Sequence, residues 1–584
     1  MGTGSRSDPE TRHPDRYAAS EATRLLCAGA YLDDDFRDAV VDELLVHEER
    51  VVAPSLGIDA SRVLAHALRA RRLEAGWILL LIGLWLLHAL LAKGFFLIFV
   101  LSCGLLLVAT WARGGASGPF RADYPGSDGI PPSRRRLAAV LRVAGVLLLI
   151  VYVFSALELV FSDDPEPSTL DGGALSELTT ASGTGAAWAA LLIPTAMAAA
   201  VALHREHVAR VLSSDLDPQT FATPADDPAE RSGSARVRRV RELIRREQHA
   251  PVILYHDQHP FLGAGTAHAT WTLAVELRPR EGRTAVPLDN RVVLERIRPL
   301  VESLRTPSAR PPAQSPVVPS PVVPTSVVPR QSVEVRDRLR GLELDECVFV
   351  KATGLRSRSL APYGEAHFER ERAEAVEEGG EVRRHFLRIR VGAWKEEVVT
   401  TVFVRVHTQG GMLMLEFAPH VLRPIRPDFR AIDRLTDSHR RGGLPGKALW
   451  ALARTPTAAG RVLVHGFRMI AFFVRMYTGA YGAAIPDGPW KSVRELGSDH
   501  SASLFQEMDV SRYLKSVEDR VANGVRQALD EAGWETGEFE QKIINVSGGG
   551  IFIESAQDSA ITVGDNNTVS NTRGNRGGGG DGDG

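Results

Sequence analysis

Two histidines flanking an aspartate in "YHDQHPFLGAG", His256, Asp257 and His259, are close in sequence and of types that could hold a metal ion. The pattern leads from a strand into a loop, so it lacks the helical i, i+4 spacing that sets two imidazoles on one face of a zinc-binding helix. Gly263 and Gly265 follow within the same loop and could cradle a phosphate, yet neither GK[ST] nor a complete GxGxxG follows them. Glycines that set a tight turn between two strands are the simpler reading, and neither a metal nor a cofactor is expected. A second constellation is a ladder of cations, Lys447, Arg454, Arg461, Arg468 and Arg475, spaced seven residues apart so that they fall near one helical stripe. With His465 on that stripe and Val462, Leu463, Phe467, Ile470, Phe473, Val474 and Tyr477 collected opposite, it predicts an amphipathic helix on anionic lipid headgroups, which Pro456 should break or kink. The third lies near the end: Ile561, Val563, Gly564, Asn567 and Val569 alternate β-favouring and turn-forming residues.

The positioning elements begin with apolar runs. The 584 residues carry a formal charge of -2 and 44% apolar side chains, which gives no global attraction to nucleic acid. Runs at 76–92, 95–112, 137–161 and 186–203 are each long enough to cross about 30 Å of hydrocarbon. Only Lys93 and Gly94 separate the first two, so they predict a tight helical hairpin. Basic residues precede the first run, lie between the second and third, and follow the fourth; the connection after the third carries acids and no base. That asymmetry places both termini in the cytoplasm and residues 162–183 outside. His88 and Arg142 are the ionisable groups well inside the runs, and structural roles are expected for both. The polar N-terminus has no apolar signal core, and Cys27, Cys103 and Cys347 are too far apart for a framework.

The remaining chain divides by composition. Residues 1–20 read as disordered, 21–75 as a cytoplasmic helical segment, and 204–304 as a basic juxtamembrane helix followed by the first part of an α+β domain. A Pro-rich linker at 305–331 interrupts that domain, which resumes at 332–430. There Leu387, Ile389 and Val391 alternate with Arg388 and Arg390, predicting one buried and one wet face. The amphipathic helix at 447–482, a helix at 505–534, short β repeats at 541–572 and a disordered Gly-rich tail at 573–584 complete the order. The expected fold class is four transmembrane α-helices, a cytoplasmic α+β domain and a short β-rich tail.

The set formed by "APSLGIDASRVLAHALRARR", "YHDQHPFLGAG" and "FLRIRVGAWKEEVVTTVFVRV" resembles a group of multi-pass membrane proteins of actinobacteria, and the resemblance implies this architecture. The stretch from Ile561 to Val569 is similar to the core of the RIP homotypic interaction motif and its bacterial amyloid-signalling relatives, with Thr562 in the place of the usual glutamine. That resemblance implies in-register stacking, hence a homo-oligomer or a partner protein engaged through the tail. The expected function is a non-enzymatic membrane scaffold or sensor. A membrane-bound enzyme using the loop from His256 to Gly265 is the alternative, and a transporter component a second one.

Overall fold

The computed structural model describes residues 15–112, 131–161, 183–306 and 338–547, apart from 232, 340, 353–354, 378–382, 396, 442, 480–483 and 500. The helices used below are α1 (Glu21–Leu32), α2 (Asp34–Val41), α3 (Ala60–Leu91), α4 (Gly94–Ala112), α5 (Pro132–Phe161), α6 (Gly183–Ser214), α7 (Ala235–Glu247), α8 (Asn290–Glu302), α9 (Glu365–Glu377), α10 (Leu444–Thr478), α11 (Leu504–Glu531) and α12 (Gly537–Ser547). The strands are β1 (Val252–Tyr255), β2 (Thr266–Ala267), β3 (Trp271–Glu276), β4 (Leu342–Lys351), β5 (Arg383–Ala393), β6 (Val398–Gln409) and β7 (Met412–Leu422). The chain forms two units: residues 1–266, 340–401 and 420–511 make the first, and 267–339, 402–419 and 512–584 the second.

Four helices of the first unit, α3 to α6, are long and apolar enough to cross a membrane. They pack on one another through Ile78, Trp85, Phe95, Phe99, Tyr152 and Met197, and turn Leu86, Leu90, Leu101, Phe154 and Leu192 outward. Outward leucine and phenylalanine at this density are costly in water and ordinary in lipid. The turn between α3 and α4 is tight: Lys93 sits at φ 46 and the next helix starts at Gly94. His88 is buried against the Tyr152 hydroxyl at 3.1 Å, the cross-helix bond expected of an inward polar group, while Arg142 lies on an exposed face. Helix α3 is longer than its apolar run. It is capped by Asp59, whose carboxylate accepts from the amides of Ser61 and Arg62, and its first four turns belong to a second core with Leu26, Phe36, Ile58 and Phe429.

In the same unit β1 pairs in parallel with β4, so the two partners lie on either side of the Pro-rich stretch, and β4 pairs antiparallel with β5. The expected wet face of β5 is not wet. Arg388 and Arg390 are both buried and stand opposite Asp345 and Glu343, with ion pairs of 2.7 and 2.8 Å. Opposite charges facing each other across two strands satisfy one another, so the face can be covered, and the Tyr17 hydroxyl caps it on Glu343 at 2.7 Å. Helix α9 lies on this pair of strands, and nothing in its mainly charged sequence announced it.

β6 and β7 form the hairpin, whose residues 402–419 belong to the second unit and whose outer ends belong to the first, with Gly410 and Gly411 at φ 60 and 79 as a type I′ turn requires. β3 pairs antiparallel with β7. α11 presents Val517, Val521, Val525 and Leu529 inward and meets α8 so closely that a Cβ on Gly524 would lie 2.7 Å from the Ile297 backbone. The first expected β repeat, "IINVSGGG", is corrected: α12 runs from Gly537 to Ser547, because Phe539 and Ile543 fall one helical turn apart and Lys542 anchors the helix to the Ala274 carbonyl at 2.9 Å. The expected disorder of residues 1–20 is corrected at its end: Asp15–Ala18 is a helical turn, Ala18 is buried, and the Ser20 hydroxyl donates to the Gly57 carbonyl at 2.8 Å, so local bonds and packing order it. Residues 1–14, the other repeats, the tail from 573 and Ile561, Val563, Gly564, Asn567 and Val569 lie outside the described residues.

Candidate functional site

The loop from His256 to Gly265 is closed by the protein itself. Gly263 and Gly265 both sit at φ +96, and their amides donate to one oxygen of Glu495 at 2.7 and 3.0 Å. The donors that would hold a phosphate therefore hold a side-chain carboxylate, which burial pushes above the usual carboxylate range against the pull of those amides. His256 packs on Trp490 and accepts the Gln258 amide on Nδ1; its ring centre lies 6.5 Å from that of His259. Asp257 turns to Lys351 at 2.6 Å. The three residues expected as metal candidates are thus adjacent but not convergent.

Convergence occurs elsewhere. Asp33 caps α2 through the amides of Asp35 and Phe36, which fixes the acidic first turn of α2 against α3 and α10. There Arg37 bonds Glu74 at 2.5 Å and Asp34 at 3.1 Å. His465 on α10 closes the group with Nδ1 2.7 Å from Glu74 and Nε2 3.6 Å from Asp34. Asp34, Glu74 and His465 offer ligand atoms within 4.8 Å of one another, but Arg37 already bonds both carboxylates, so a cation's place is taken by a guanidinium. Beside this group is a cavity of about 110 Å³ between α3, α6 and α10. Ile78, Leu81, Val201 and Val462 make its apolar wall, and Arg37, His204, Arg205, Arg454 and His465 its polar one.

The cationic ladder of α10 is divided in its contacts. The helix is continuous through Pro456, and Gly443 and Pro445 open it where a missing amide costs little. Lys447 meets Glu206 at 3.2 Å, Arg468 meets Asp35 at 2.9 Å and Arg475 meets Asp42 at 3.1 Å. Arg454 lies 5.6 Å from the Trp450 ring centre, with Arg205 over the same ring at 3.7 Å, and the side chain of Arg461 lies outside the described residues. Phe467, Ile470, Phe473, Val474 and Tyr477 are exposed on the same helix.

The histidine gives the group a pH dependence. Burial lowers the proton affinity of His465, but its bond to Glu74 and the charges of Asp34 and Glu74 outweigh burial and raise it overall, despite Arg37. Burial also raises the Asp34 carboxyl, against the pull of Arg37. Facing His465 are Asp34 and Arg37 from α2, Glu74 from α3 and His204 from α6. A raised imidazole stabilises the contact fully below its unfolded value near 6.5, and that contribution is lost as pH rises through the folded value. The protection factors of the α10 amides, which discount the intrinsic base-catalysed rise in exchange, should therefore fall between neutral and mildly alkaline pH, and Glu74→Gln should remove most of that fall. Protection factors that stay constant with pH in the wild type would refute it.

Residues 270–560 match the family model of an AbeC-like domain. The matched stretch runs from β3 to beyond α12 and includes Arg454 and His465, whereas Asp34, Arg37 and Glu74 precede it. No curated protein and no solved structure matches the chain. Sequence reasoning missed Asp34, Arg37 and Glu74. No pattern singles them out: acids such as those of α2 suit any helix start, and Glu74 stands alone among the basic residues that precede the first apolar run. The available signal was a lone carboxylate two residues before an apolar run, facing a histidine on an apolar helix.

Proposed function

We propose that the chain is a four-span membrane protein with both termini in the cytoplasm, acting as a non-enzymatic scaffold or sensor. The carrying observation is the group of Asp34, Arg37, Glu74 and His465, which ties a cytoplasmic helix and α10 to α3 next to the start of its apolar run. A change of tilt or proximity among the spans would be felt there, and a change in charge there would be felt by the spans. The exposed apolar residues of α10 support its contact with the lipid surface, the partner expected for the ladder. The filled amides of Gly263 and Gly265 weigh against the enzyme alternative. Association through the tail around Ile561 and Val563 remains part of the proposal.

Cysteine accessibility tests the orientation with little background, because all three native cysteines are buried. An impermeant maleimide should label Ser168→Cys in intact cells and reach Ser320→Cys only after permeabilisation. The reverse pattern would defeat the proposed topology.

A further inference from the structure

We propose that the cavity between α3, α6 and α10 binds the anionic headgroup of an acidic phospholipid drawn from the adjoining leaflet, with Arg454 as its charge partner. The inference deepens the membrane reading and rests on it.

Three observations converge. Among the described residues Arg454 has no carboxylate partner; its guanidinium carbon lies 5.6 Å from the centre of the Trp450 ring, which Arg205 already covers at 3.7 Å, whereas Lys447, Arg468 and Arg475 of the same ladder each have an acid. It also lines the cavity, where the other acids, Asp34 and Glu74, are engaged by Arg37 and His465. A guanidinium next to a cavity and short of an anion favours phosphate, which it can bind through two parallel N–H donors. The opposite wall settles what kind of phosphate. Ile78 and Leu81 belong to the apolar run of α3 and Val201 to that of α6, and Val462 faces them from α10. A soluble anion gains nothing from that wall, while the first methylenes of an acyl chain lose water against it. At about 110 Å³ the cavity has no room for a whole lipid, so the rest of the chains would stay in the bilayer. The ladder is thus not a uniform strip of surface charge. One rung is reserved.

The test uses the full-length protein in mild detergent, titrated with phosphatidylglycerol or phosphatidylcholine, with single-lipid occupancy read by native mass spectrometry. Wild type should retain one phosphatidylglycerol in preference to phosphatidylcholine. Arg454→Gln should weaken that binding about tenfold, the scale of one charge-assisted contact. Arg454→Lys should keep part of it, and Arg475→Gln should keep all of it. Val462→Phe, which retains every charge and fills the cavity, should lose the lipid as Arg454→Gln does, so one variant that fails to fold does not decide the matter. Equal retention of the two lipids by wild type, undiminished binding in both Arg454→Gln and Val462→Phe, or displacement of the lipid by millimolar inorganic phosphate would overturn the proposal. A failed cysteine-labelling pattern would defeat the membrane orientation, whereas intact labelling with no lipid preference would defeat this inference alone.

Discussion

Replacing Asp227 with alanine should destabilise the first unit by about 3–5 kcal/mol, because it strands a buried guanidinium. Asp227 accepts from Arg62 Nε at 3.0 Å, from His66 Nε2 at 2.9 Å and from the Ala229 amide at 2.8 Å. Arg62 and Asp227 have side chains only 1% and 2% exposed, so water cannot replace a lost partner. The guanidinium also donates to the carbonyls of Ala18 and Phe221 and lies 3.5 Å over the Phe221 ring, which ties two distant stretches of chain, around 18 and 221–227, to the start of α3. Thermal unfolding of Asp227→Ala in detergent should show the loss, and Arg62→Met combined with Asp227→Leu should recover much of it. A single variant that melts like the wild type would contradict this account. The sign with pH follows from the bonds: burial pushes the Asp227 carboxyl upward, but His66, Ala229 and Arg62 outweigh it and hold it well below the carboxylate range. Its contribution is therefore complete above an unfolded value near 3.9 and is lost as acid carries the pH down toward the folded one.

The second large effect is expected at the glycine loop. A Cβ on Gly265 would lie 2.2 Å from the Val421 carbonyl oxygen, and the backbone there, at φ +96, is one that side chains rarely adopt. Gly265→Ala should cost about 2–4 kcal/mol from strain and displacement of β7 together. Glu495→Gln, in contrast, keeps an oxygen for both amides and removes a buried charge, so it should be near neutral. Glu495→Ala leaves the two amides without that acceptor and should fall between. Melting temperatures of the three variants in one detergent give the order; a glutamine variant as damaged as alanine would mean that the charge, rather than the acceptor, matters.

These two sites show what the sequence could disclose. The apolar runs were legible because each is uniform over some twenty residues, and the hairpin at Lys93 and Gly94 because a single unbroken helix would be too long. Gly263 and Gly265 announced a special backbone, though not that Glu495, more than two hundred residues away, would fill it. The β5 arginines misled for a related reason: alternation gives the period of a strand, while burial of its polar face depends on what the neighbouring strand places opposite. The candidate site was the least legible. Asp34, Glu74 and His465 come from three helices, and each is individually explained by a local rule, helix-start charge, basic flank or polar stripe. Only the packing of α2 and α10 on α3 makes one group of them.

Helix α3 has a mechanical consequence. At 1.5 Å per residue its 32 residues form a rod about 48 Å long, with about half of it beyond the apolar run. If the rod stays straight, a tilt of about 10° around Gly76, modest for a spanning helix, swings its far end by about 4 Å. That end carries Asp59, held by Gln248 at 3.0 Å, and Arg62 with its bond to Asp227. Both attachments are shorter than the stroke. In the proposed membrane setting the helix is a lever with its short-range latches at one end, so a shift of bilayer thickness or of neighbouring spans would either break those latches or carry the attached segments with them.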